Sequence, residues 1–123
     1  MNWLLSLLMI SIVSLGYAQG DEMTLNVSTK EPSFVVDLEA NPTTGYQWSV
    51  VDYDKELLTL SDSVYTQSRP ALIGSGGHMR YTFKLNKGKK YPDSTQINFK
   101  YARAWEKNNT GMLKQVIVHF NPN

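Results

Sequence analysis

The sequence predicts an all-β sandwich. Three observations carry that prediction. Apolar residues recur at every second position in short runs, turn-forming residues separate the runs at regular spacing, and no stretch of ten or more residues sustains a 3.6-residue apolar period.

Met23, Leu25 and Val27 form the first alternating set, and Glu31-Pro32 breaks it. Phe34, Val36 and Leu38 form the second. Asn41-Pro42-Thr43-Thr44-Gly45 then turns the chain into Tyr46, Trp48 and Val50, with Gln47 and Ser49 on the opposite, wet face. Leu57, Leu58, Leu60, Val64 and Tyr65 follow less regularly and read as a short strand pair or a bent edge. Met79, Tyr81, Phe83 and Leu85 alternate again as far as Asn86-Lys87-Gly88. Ile97, Phe99 and Tyr101 come next, and Val116, Val118 and Phe120 close the sequence after Asn108-Asn109-Thr110-Gly111. About seven or eight short strands of this kind fit an immunoglobulin-like antiparallel β-sandwich.

The start of the chain differs from the rest. Trp3 to Leu15 is an apolar run interrupted only by serines, followed by Gly16-Tyr17-Ala18-Gln19. It reads as a secretory signal peptide over residues 1–18, with small residues three and one positions before a cut after Ala18. Its n-region lacks Lys and Arg, and its run of about thirteen residues is short of the roughly 20 that span a bilayer. Residues 19–123 then form one domain, expected to be monomeric and free of membrane once the signal is removed. The expected location is the secretory pathway, with the protein secreted or held in lysosomal or phagosomal vesicles. There is no cysteine among the 123 residues, so the core alone must hold the domain and thiol chemistry is excluded. Sequons at Asn26-Val27-Ser28 and Asn108-Asn109-Thr110 make Asn26 and Asn108 candidate glycosylation sites. The net charge of +1 argues against nucleic acid as the main partner. The basic run Lys87-Gly88-Lys89-Lys90 reads as a solvated turn.

Three loops hold the richest chemistry. In Asn41-Pro42-Thr43-Thr44-Gly45-Tyr46, Pro42 fixes its own φ and pushes Asn41 toward an extended conformation. Gly45 admits positive φ, and the two threonines add β-branched stiffness. Leu72 and Ile73 precede Gly74-Ser75-Gly76-Gly77, a backbone with little side-chain bulk that can approach another surface closely. Arg103-Ala104-Trp105 combines two residue types enriched at interface hot spots. Connections between antiparallel strands alternate between the two ends of a sandwich. The three loops therefore share one end, provided the irregular stretch from Leu57 supplies one strand or an odd number of crossings.

No catalytic constellation assembles. His78 and His119 stand alone in sequence, and Gly74-Ser75-Gly76 lacks the strand-to-helix setting of a nucleophile elbow. Asp52, Asp54 and Glu56 match no established metal-loop pattern and read as a solvated acidic loop. The expectation is a non-enzyme with no cofactor.

Taken together, Asn41 to Tyr46, the glycine loop ending in Gly76-Gly77, and Arg103-Ala104-Trp105 resemble the chagasin-type inhibitors of papain-family cysteine proteases. The resemblance covers essentially the whole mature chain. It departs from the family's usual Arg-Pro-Trp at Ala104, where a φ constraint is lost. The resemblance implies reversible, non-covalent inhibition by a three-loop wedge in the protease active-site cleft. Thr43 and Thr44 would approach the catalytic cysteine and histidine, and Leu72 to Gly76 would run along the unprimed subsites. Trp105 would pack on the primed side. The alternative reading is a secreted immunoglobulin-like adhesion or carbohydrate-binding domain, with Trp105 stacking on its ligand.

Overall fold

The computed structural model describes residues 21–41, 44–68, 76–103 and 111–122. Seven strands account for most of them: β1 (Asp21–Ser28), β2 (Ser33–Ala40), β3 (Tyr46–Asp52), β4 (Leu58–Gln67), β5 (Gly77–Leu85), β6 (Ser94–Arg103) and β7 (Met112–Asn121). They form two sheets. One has four strands in the order β1-β7-β6-β3, and the other has three in the order β2-β5-β4. The predicted immunoglobulin-like sandwich is what the chain adopts.

The core lies where the alternating apolar faces meet. Phe34, Val36 and Leu38 of β2, Tyr81 and Phe83 of β5, and Leu58 of β4 face Ile97 and Phe99 of β6 and Val116, Val118 and Phe120 of β7. Eight of the core side chains are essentially inaccessible, Phe83 and Phe99 the largest among them. Aromatic pairs cross between the sheets, with Tyr81 against Phe99 at 5.1 Å and Phe34 edge-on to Phe120 at 5.8 Å between ring centroids. Such pairs add to the burial energy of the rings themselves. In a domain without disulfides this packing is the main source of stability.

The irregular stretch from Leu57 resolves into one strand. β4 pairs antiparallel with β5, and the register shifts between Leu60 and Asp62. The extra residue is a β-bulge. Before it Leu58 and Leu60 stand opposite Leu85 and Phe83; after it Tyr65 stands opposite Met79 and Val64 opposite Arg80. The bulge changes the phase of the alternation, which places Val64 outward, 46% exposed. The acidic stretch before β4 makes a turn, in which one Asp54 carboxylate oxygen accepts the N–H groups of Glu56 at 3.1 Å and Leu57 at 3.2 Å.

One pairing departs from the antiparallel pattern. β1 runs parallel to β7, from Asp21 opposite Lys114 to Ser28 opposite Asn121. The two strands come from opposite ends of the chain, so no hairpin dictates their relative direction.

Candidate functional site

Strand direction decides where the three loops lie. β6 runs into the connection after Arg103 and β7 leaves it; β3 is antiparallel to β6, so the loop before Tyr46 is at that same end. β2 leads into this loop and is antiparallel to β5, which places the connection before Gly77 there too. The single strand β4 satisfies the condition set by the sequence. The basic turn at Lys87 to Lys90, following β5, falls at the opposite end of the sandwich.

The first loop is held by its own atoms. The Asn41 carbonyl accepts the Thr44 N–H at 3.1 Å and the Thr44 hydroxyl at 2.8 Å, and Thr44 Oγ1 accepts the Tyr46 N–H at 3.4 Å. Gly45 sits at φ 88°, in the left-handed region that its sequence position anticipated. Pro42 and Thr43 lie outside the described residues.

The second loop is pinched at its base. Ser68 donates its N–H to the Gly76 carbonyl at 3.0 Å. Gly77 pairs with Ala40 on one side and Gln67 on the other. A Cβ on Gly77 would lie 2.1 Å from the Thr66 carbonyl oxygen, so only glycine lets β4 and β5 come this close. Gly76, at φ 79°, abuts the Ala40 carbonyl, which brings the bases of loops one and two into contact. Beside them, Asp37 accepts from Arg80 Nε at 3.0 Å and meets His78 Nδ1 at 2.7 Å, bracing β2 to the start of β5. Leu72, Ile73, Gly74 and Ser75 lie outside the described residues.

The third loop leaves β6 at Arg103, opposite Tyr46 in the register. The Arg103 guanidinium lies 4.6 Å from the centroid of the Tyr46 ring, a cation–π contact. Where the chain returns, a Cβ on Gly111 would meet that of Ala102 at 2.5 Å, so Gly111 is needed for close packing against β6. Ala104, Trp105 and Asn108 lie outside the described residues. Asn26 is exposed on edge strand β1.

The structure also supplies residues that the sequence did not single out. Met112 and Leu113, 47% and 53% exposed, begin β7 and add apolar side chains to this end of the sandwich. Tyr101 accepts the Asn41 N–H on its hydroxyl at 3.1 Å, and Trp48 donates its indole N–H to the Glu39 carbonyl at 2.9 Å. The period-2 pattern marks both rings as core-facing. A hydroxyl partner 60 residues away leaves no trace in the sequence.

A cleft opens among the bases of the loops, lined by Asn41, Ser68, Gly76, His78 and Tyr101. Among the described residues, no group of three or more His, Asp or Glu side chains is placed to hold a metal ion.

The family model described as Chagasin family peptidase inhibitor I42 matches residues 26–118. The chain belongs to the chagasin family. It is therefore a peptidase inhibitor and not an enzyme, and the adhesion or sugar-binding reading is not favoured. No curated protein matches the chain. Among solved structures, the cysteine protease inhibitor EhICP2 from Entamoeba histolytica is similar, with 24% identity and a TM-score of 0.56 over 80% of this chain and 88% of that one. Amebosin, known from a solution structure, aligns with 23% identity and a TM-score of 0.52 over 83% and 98%. PbICP-C, solved in complex with falcipain-2, aligns with 21% identity and a TM-score of 0.55 over 83% and 89%. At these identities the structural likeness speaks to the fold, while the family assignment rests on the sequence model.

Proposed function

We propose that this chagasin-family chain inhibits papain-like cysteine proteases reversibly and without covalent chemistry, by seating three loops of one sandwich end in the active-site cleft. The observation that supports the proposal is the shared end: the described strand ends that flank residues 41–45, 68–76 and 104–111 all lie there. A similar fold, that of PbICP-C, is complexed with falcipain-2, which supports a peptidase as the partner here.

The chemistry asked of the inhibitor is modest. It must exclude water and substrate over a rigid surface of roughly 800 Å² per partner. A loop already ordered by its own hydrogen bonds loses little entropy on docking. In this reading Thr43 and Thr44 approach the target's catalytic pair, and Leu72 or Ile73 enters an apolar subsite while Gly74, Ser75 and Gly76 let the backbone lie close. Trp105 covers the primed side. The protein acts as a monomer in the secretory pathway after removal of residues 1–18.

Steady-state inhibition of papain with a peptide substrate tests the proposal. Competitive inhibition at nanomolar to low micromolar protein, relieved by dilution, is expected. Full peptidase activity at micromolar protein would refute it.

A further inference from the structure

Tyr101 belongs to none of the three loops, yet it touches the structure that positions them. Its hydroxyl oxygen takes the Asn41 N–H at 3.1 Å in a partly buried position. Its ring lies 4.6 Å from that of Trp48 and 5.2 Å from that of Tyr46, centroid to centroid. Tyr46 in turn carries the Arg103 guanidinium at 4.6 Å. One side chain on β6, two residues before the third loop departs, thus contacts both the entry and the exit of the first.

We propose that Tyr101 is a positioning residue for inhibition, fixing the first loop relative to the strand that launches the third. The proposal rests on the cleft-blocking function above. Backbone pairing of Tyr46 with Arg103 sets the exit of loop one against the start of loop three, but it does not set the entry of loop one. β2, which ends at Ala40, lies in the three-stranded sheet, whereas β6 lies in the four-stranded one. The link across the sheets at this end is made by side chains. Trp48 grips the Glu39 carbonyl at 2.9 Å, and Tyr101 grips the Asn41 N–H.

The Asn41 residue is therefore held on both sides. Its N–H is fixed to β6 through Tyr101, and its carbonyl takes the N–H and hydroxyl of Thr44. Removing the Tyr101 hydroxyl frees the first without touching the second. The loop keeps its internal turn but loses its anchor, so the wedge blurs while the fold persists. A phenylalanine ring fills the same space, which makes Tyr101→Phe a selective probe of the hydroxyl.

The test combines amide hydrogen exchange with inhibition of papain by the purified protein. In Tyr101→Phe the Asn41 amide is expected to exchange about tenfold faster or more, and the inhibition constant to rise about tenfold, the scale of one partly buried hydrogen bond. Tyr91→Phe serves as control. The Tyr91 hydroxyl donates to the Glu31 carbonyl at 2.8 Å near the opposite end, so its loss should leave inhibition within about twofold of wild type. Thr44→Val removes the turn's own hydroxyl. Combined with Tyr101→Phe it should give a non-additive change in the inhibition constant, because both act on the same residue, Asn41. A Tyr101→Phe protein that inhibits like wild type, or that keeps its Asn41 amide protected, overturns the proposal. If the wild type leaves papain active, the cleft-blocking reading fails separately, and exchange at Asn41 still decides whether the hydroxyl anchors the loop.

Discussion

Thr44 uses its hydroxyl within its own turn, donating to Asn41 and accepting from Tyr46. The residue that family resemblance places at the wedge tip is thus also what shapes that tip. Thr44→Asp puts a carboxylate against the Asn41 carbonyl and a charge on the docking surface, so inhibition should weaken by tenfold or more. Because Thr44 is exposed, the melting temperature should hardly move. Trp105→Ala should weaken inhibition by about 2 kcal/mol, or ~30-fold, also with normal melting. Inhibition constants set beside melting curves check both expectations. If both variants inhibit as wild type does while melting normally, the loop assignment is wrong. At this scale the stiffness of the first loop was legible, because Pro42 and Gly45 constrain φ whatever surrounds them. The anchor at Tyr101 was not, since it is made between strands of different sheets.

Among the elements, β4 shows why periodicity reads some strands and misses others. Six strands keep a single apolar phase and were visible as alternating sets. β4 changes phase at its bulge, so its Leu60 and Tyr65 fall on the same face of the sheet although they are an odd number of residues apart, and Tyr65 on that face is still 37% exposed. The parallel direction of β1 was equally hidden, because alternation reports which face is buried and says nothing about direction. Gly77 matters to this level of structure, since it lets β4 and β5 close together at the base of the second loop. Gly77→Ala drives a Cβ to 2.1 Å from the Thr66 carbonyl oxygen. The expected cost is about 1–3 kcal/mol, a fall of several degrees or more in melting temperature, accompanied by weaker inhibition as the loop base opens. Thermal melts of the variant check the first part and papain assays the second.

For the whole molecule, the buried phenol of Tyr81 and the half-buried phenol of Tyr91 bear on alkaline tolerance. Burial raises the Tyr81 hydroxyl above its ordinary value of 10.0, and burial followed by the nearby Glu31 carboxylate raises that of Tyr91. Both folded values exceed the unfolded ones, so this contribution is fully present below pH 10 and is lost as pH rises through the folded values. Melting temperature should therefore fall above about pH 10, and Tyr81→Phe should flatten that fall; a slope identical in wild type and variant would contradict the assignment. The larger consequence of the architecture is the gathering of three loops at one end. That was deducible from sequence once the stretch after Leu57 was allowed one strand, because antiparallel connections alternate. The central claim is that this end fills a protease active-site cleft. Its most direct measurement is the rate at which a small thiol alkylator modifies the catalytic cysteine of papain as this protein is added. Alkylation is expected to slow in proportion to bound inhibitor and nearly stop at saturation. Alkylation continuing at the uninhibited rate in a saturated complex would contradict it.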